Sequence, residues 1–175
     1  HYPAHDWYRV MMQAMAARAE EYGFQFRVSP PHKGIAAEIS RLRAQIAETA
    51  VERIQTGQTV ILGAGEETLC LADALRNRTA EAPESLEGVT VITNALDVLF
   101  RLEDVPGMKV ILTSGEYQKA DRCLVGPSLG SLFERMRADL CFLSVAGVSP
   151  DFGVSAVDER LALANSRFVH AARRT

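Results

Sequence analysis

Gly63-Ala64-Gly65-Glu66-Glu67-Thr68 directly follows the apolar run Thr59-Val-Ile-Leu62. A buried strand that breaks at glycines and runs into a helix leaves backbone N–H groups free at the carboxyl edge of a sheet. Open α/β folds hold small anionic or polar ligands at that place. The chemistry on offer is therefore binding, by main-chain donors with a threonine hydroxyl beside them. Two carboxylates stand in the same turn. If outward, Glu66 and Glu67 merely complement the helix dipole. If inward, they select the ligand. A carboxylate about 4 Å from a phosphate charge is repelled by about 4 kcal/mol at an effective dielectric of about 20. The helix N-terminus returns only about 0.3–1 kcal/mol, or up to about 2 when partly buried. An inward glutamate thus disfavours a phosphomonoester and suits a polyol hydroxyl or an amine.

Other reactive residue types give no site. His1, His5, His32 and His170 have neither metal spacing nor a neighbouring nucleophile. Cys70, Cys123 and Cys141 are odd in number, far apart and set among apolar residues, which reads as buried thiols. No metal, cofactor or catalytic set is expected. The 19 basic and 22 acidic residues leave a net charge of −3 without a basic run, which excludes a nucleic-acid arm or membrane-surface patch within this chain. With 175 residues, 47% of them hydrophobic, a full core is within reach. Neither a signal peptide nor an apolar stretch near about 18 residues is present, so the expected address is cytoplasmic.

The elements that must position the glycine turn alternate along the chain. Helical spacing covers residues 5–22, with Trp7, Met11 and Met15 on one stripe, and 24–28 alternates like a short strand. Ser29-Pro-Pro-His-Lys-Gly34 is a break, so residues 1–34 are expected to be a helix, a strand and a linker, and 35–175 the main domain. An amphipathic helix is expected over 36–55, with Ile39, Leu42, Ile46, Ala50 and Ile54 on its buried face. Strands follow at 59–62, 89–92, 110–113, 123–125 and 140–145. Helices are expected at 67–75, 95–102, 128–136 and 157–173, and 77–88 reads as a polar loop. Short Val/Ile/Leu strands alternating with helices imply a three-layer α/β fold, its mostly parallel sheet covered by helices on both faces.

Four segments, taken in order, resemble the effector-sensing domain of DeoR-type bacterial repressors. They are Ile54-Gln-Thr-Gly-Gln-Thr-Val-Ile-Leu-Gly-Ala-Gly65, Val91-Ile-Thr-Asn-Ala95, Val110-Ile-Leu-Thr-Ser-Gly-Glu116, and Leu124-Val-Gly-Pro127 with Arg137-Ala-Asp-Leu-Cys-Phe-Leu-Ser-Val-Ala-Gly147. The resemblance spans about residues 36–174. It implies a fold similar to ribose-5-phosphate isomerase and glucosamine-6-phosphate deaminase. It also implies a small-molecule effector, a sugar or sugar phosphate, that releases a repressor from its operator. DNA would be met only through a helix-turn-helix module preceding His1, and the family's last strand would follow Thr175. A homodimer or tetramer is implied, with the Trp7 and Met11 face as a candidate contact.

The same resemblance assigns ligand contacts. Gly63, Ala64, Gly65, Glu66, Glu67 and Thr68 occupy the family's phosphate loop, where Asp-Gly-Gly-Thr-Thr-Thr-like runs are typical. Asn94 is either a ligand contact or the cap of the helix from residue 95. Gly115 and Glu116 fall on a Gly-Gly-Glu motif, where the glutamate binds sugar hydroxyls or joins a loop salt bridge. Gly147 and Asn165 complete the set. Gly63 replaces an aspartate, Ala146 stands where an acidic residue is common, and Asn165 replaces a lysine. Acid–base work on a sugar needs an ionisable carboxylate and often a cation. Those losses favour a non-catalytic sensor over the alternative, a sugar-phosphate isomerase or deaminase using Glu116 as its base.

Overall fold

The computed structural model of the chain describes residues 34–175. The helix and strand expected before residue 29, and the Trp7 and Met11 face, lie outside the described residues. Contacts group residues 1–40 and 41–175 as two units, and the second contains the elements described below except the start of the first helix, residues 35–40.

Helix α1 (Ile35–Val51) leads into strand β1 (Thr59–Leu62), helix α2 (Glu66–Glu81) and strand β2 (Thr90–Thr93). Helix α3 (Leu96–Leu102), strand β3 (Lys109–Leu112) and the short strands β4 (Glu116–Gln118) and β5 (Cys123–Val125) come next. Strand β6 (Ala138–Phe142), the ribbon β7 (Gly147–Ser149) and β8 (Gly153–Ser155), helix α4 (Glu159–Ala171) and strand β9 (Ala172–Arg174) complete the order. The central sheet has five strands in the order β3-β2-β1-β6-β9, every neighbouring pair parallel. Register is fixed at its centre by Ile61 opposite Ile92 on one side and Cys141 on the other.

Side-chain alternation along the strands sends neighbouring residues into two different cores. Val60, Leu62 and Val91 pack with Leu71 and Leu75 of α2, Val98 and Leu102 of α3, and Ala47 and Val51 of α1. Ile61, Ile92 and Cys141 pack on the opposite face with Leu129, Phe133, Ala164 and Phe168. Three layers follow, as the apolar strands imply. The rings of Phe133 and Phe168 meet edge to face at 5.7 Å and 84°.

Several elements differ from the sequence expectation for local reasons. The polar stretch 77–88 is not one loop, because α2 runs on to Glu81 and a 3-10 turn fills Pro83–Leu86. Its solvent face is polar, while Thr79 is buried with its hydroxyl donating to Leu75 O at 3.0 Å. The helix expected over 128–136 is a 3-10 run, Pro127–Glu134. Residues 172–174 leave the last helix and pair with β6, which covers an edge that would otherwise be open. The buried face of α1 is Ala47 and Val51, continued by Ile54, whereas Ile39, Leu42 and Ile46 are exposed. Only the last turns of α1 reach the core.

Truncating Phe168, fully buried in the second core, is expected to cost about 3–5 kcal/mol in urea unfolding of Phe168→Ala. A loss below about 1 kcal/mol would mean that this face of the sheet is not close-packed.

Candidate ligand-binding site

The strand order places β2 and β3 on one side of β1 and β6 and β9 on the other. The carboxyl ends of β1 and β6 therefore flank the switch point of the sheet, the crevice where open α/β folds bind ligands. The bend 63–68 leaves β1 there, and Leu143 and Ser144 leave β6 beside it.

Packing at the bend is close. Gly63 N–H donates to Phe142 O at 3.0 Å, carrying the ladder one residue past β1. A Cβ on Gly65 would stand 2.2 Å from Ser144 Cβ, and the residue has φ of 140°, so only glycine fits. A Cβ on Gly63 would meet Leu143 Cδ2 at 2.8 Å and lie 3.7 Å from Asn165 Oδ1. The Thr68 hydroxyl spends its one hydrogen inside the turn, shared between Gly63 O at 2.6 Å and Gly65 O at 2.9 Å. Ala64 is buried.

The two glutamates point in different directions. The Glu66 side chain is 70% exposed, while Glu67 turns over the sheet edge toward Ser144. Ser144 Oγ donates to Glu67 Oε2, and Arg43 Nε of α1 donates to Glu67 Oε1 at 2.9 Å. Arg43 Nη1 also reaches Glu66 Oε2. The Ser144 hydroxyl above all, then the residue's own backbone N–H and Arg43, hold the Glu67 carboxyl below its ordinary range against the opposing effect of burial. The same contact raises Arg43. A carboxylate of the protein thus lies at the amino end of α2, close to where an anionic ligand would sit. One guanidinium against two carboxylates leaves a local charge of −1.

Asn165, on α4, comes to this crevice from behind. It is 7% exposed, its Oδ1 faces Gly63, and its side chain makes no hydrogen bond among the described residues.

The remaining expected contacts gather elsewhere. Asn94 is fully buried, its Nδ2 donating to Leu124 O at 2.9 Å and its carbonyl accepting from Leu124 N at 2.7 Å. It latches β2 to β5 and does not cap α3, whose first N–H groups are met otherwise, Ala95 N–H by Thr93 Oγ1. Gly115 lies against the Val125 backbone, and Glu116 has a 77% exposed side chain 3.7 Å from Arg160 Nη1, the loop ion pair. Gly147 opens the β7–β8 ribbon beside Ser155. The structure therefore unites Gly63, Gly65, Glu67, Thr68 and Asn165, and it adds Arg43 and Ser144, which sequence reasoning missed. Ser144, just past a buried strand, was findable by position; nothing local marks Arg43.

Open volume and polar convergence do not coincide. One cleft of about 600 Å³ lies by Thr113, Ser131 and Arg135, and another of about 660 Å³ by Arg76, Asp97 and Phe100. Neither is lined by residues 63–68 or Ser144. The crevice at β1 and β6 is preferred because polar groups from four elements meet there, whereas space alone selects nothing. Among the described residues no cluster of histidine, cysteine or carboxylate can hold a metal ion. No helix there is long and apolar enough to cross a membrane. Burial pushes the Cys123 and Cys141 thiols up to about 11 and about 12, which leaves them inert.

A carboxyl held below its ordinary value of 4.5 stabilises the fold above that pH and ceases to do so as pH falls through its folded value. The melting-temperature gap between the wild type and Glu67→Gln should thus be widest near pH 7 and close on acidification below about pH 4. A gap independent of pH would contradict the Ser144 and Arg43 contacts.

A family model described as "DeoR C terminal sensor domain" matches residues 39–175. The chain is 27% identical over 147 residues to a putative aga operon transcriptional repressor of Escherichia coli O157:H7, covering 84% of this chain and 52% of that protein. It is 34% identical over 110 residues to the HTH-type transcriptional regulator GolR of Listeria innocua, covering 63% of this chain and 40% of that one. The chain therefore spans about half the length, or less, of these curated relatives. A ribose 5-phosphate isomerase of Methanocaldococcus jannaschii shares the fold, with a TM-score of 0.54 at 13% identity over 77% of this chain and 49% of the isomerase. The ordered motifs, the parallel sheet and the matched length agree, and the chain belongs to the DeoR family of C-terminal sensor domains, a ligand-sensing class built on the isomerase fold and not an isomerase itself.

Proposed function

We propose that the crevice between β1 and β6 binds a sugar-derived metabolite and that its occupancy controls operator binding by a DNA-binding module of the whole protein. The carrying observation is the convergence of Gly65, Glu67, Ser144, Asn165 and Arg43 at the switch point of the sheet. The names of the relatives, a repressor and an HTH-type regulator, support the link to DNA. Arg43 gives the site a route outward, because it ties the ligand edge to α1, the helix nearest the amino-terminal side. A ligand acts on such a system only through different affinities for two arrangements. Rearranging the Arg43 contacts on binding supplies that difference.

Assembly as a homodimer or tetramer belongs to the same reading. Exposed Ile39, Leu42 and Ile46 on α1, and Val148, Phe152 and Val154 on the β7–β8 ribbon, give it apolar surface to cover.

Calorimetric titration of the chain with free sugars, polyols and sugar phosphates should detect a ligand. Asn165→Ala should weaken that ligand about tenfold, close to 1.4 kcal/mol, with little change in melting temperature. Absence of binding by every compound would remove the sensor reading at this crevice. Light scattering should give a dimer or larger, and a monomer at high concentration would refute the assembly.

A further inference from the structure

We propose that the Glu67 crevice takes an uncharged or cationic hydrogen-bond donor of its ligand, a diol or an ammonium group, and rejects a phosphate ester. The proposal rests on the sensor reading of the same crevice and names the ligand class.

Three observations carry it. The first is occupancy: the Glu67 carboxylate, in the first turn of α2, is already held by Ser144 and Arg43 close to where a helix N-terminus would otherwise hold an anion. The second is the pattern of donors and acceptors. Glu67 has about four lone-pair positions, and Ser144 and Arg43 use two of them. Ser144 has given its hydrogen away and keeps only acceptor capacity toward a ligand. Thr68, the hydroxyl of the loop, is likewise spent on Gly63 and Gly65 carbonyls. The remaining acceptors suit O–H and N–H groups, and the charge of −1 left by Glu66, Glu67 and Arg43 repels an ionised phosphate. The third is independent of the helix end. Asn165 is more than nine-tenths buried, has no hydrogen-bond partner among the described residues, and aims Oδ1 at Gly63. A largely buried amide with no protein partner is free to bond a ligand. It can serve a hydroxyl both as donor and as acceptor.

Arg43 does not reverse this preference. Its Nε and Nη1 are already given to Glu67 and Glu66, and two carboxylates more than offset its single charge.

The test is titration calorimetry of the chain with matched pairs: hexitols and hexosamines against their phosphate monoesters, with inorganic phosphate as a minimal anion. Wild type should bind at least one free compound ten times or more tightly than its phosphate ester, and preference between the hexitol and hexosamine arms tells hydroxyl from ammonium recognition. Glu67→Gln should bind inorganic phosphate at least tenfold more tightly than wild type. Ser144→Ala, which loosens Glu67 but keeps its charge, should show no such gain. Wild type that binds phosphate esters as well as the free compounds would overturn the proposal while leaving the sensor reading standing. So would a folded Glu67→Gln with no gain toward phosphate. If Glu67→Gln fails to fold, the wild-type pairs decide alone. Failure of every compound with wild type would remove the sensor reading and this class assignment together.

Discussion

The arrangement at the head of the sheet depends on one contact, the inward carboxylate of Glu67 held by the Ser144 hydroxyl and the Arg43 guanidinium. It joins three elements that are distant in sequence: the turn after β1, the end of β6, and helix α1. Their approach is possible only because Gly65 has no side chain where Ser144 stands. A carboxylate so placed is stabilised by charge-assisted hydrogen bonds, which are roughly twice as strong as neutral ones. It also places a negative charge beside a helix end that would otherwise attract an anion. One side chain therefore fixes both the local geometry and the electrostatic character of the crevice.

The sheet explains why this contact falls where it does. Parallel strands joined through helices direct all their carboxyl ends to one edge, and the reversal of strand order between β1 and β6 opens that edge. The two cores on opposite faces hold β1 at the centre, with Val60, Ile61 and Leu62 fully buried. A rigid strand end is what lets a turn of a few residues present polar groups reproducibly. The second expected cluster has a different purpose. Asn94, Gly115 and the β4–β5 ribbon form a latch, with Arg122 gripping both oxygens of Asp97 to hold it over β2.

Membership of a sensor family on an isomerase fold is consistent with the chemistry that remains. Glu116, the carboxylate on which catalysis would depend, is exposed and shared with Arg160. In the crevice, the Glu67 carboxylate is already engaged by Ser144 and Arg43. Fold and site answer separate questions here. The topology of the sheet opens the crevice, and the local side chains set its chemistry.

The sequence alone determined the layers and the strand-to-helix turn proposed as the site. Apolar strands of four residues alternating with helices permit little besides a parallel sheet, and Gly63 and Gly65 at a strand-to-helix junction mark its ligand edge. It also narrowed the question about Glu66 and Glu67 without answering it, since adjacent residues in a first helical turn diverge by about 100° and either can face inward. Tertiary structure decided that Glu67 does, because Ser144, some 77 residues away, supplies the donor. Likewise, the apolar stripe Ile39, Leu42 and Ile46 read as a buried face, yet burial depends on which turns of α1 the sheet reaches. Strands β4, β7 and β8 and the pairing of β9 with β6 were invisible for a related reason. Strands of three residues carry almost no periodicity, and their hydrogen bonds are satisfied by partners that only the folded chain brings near.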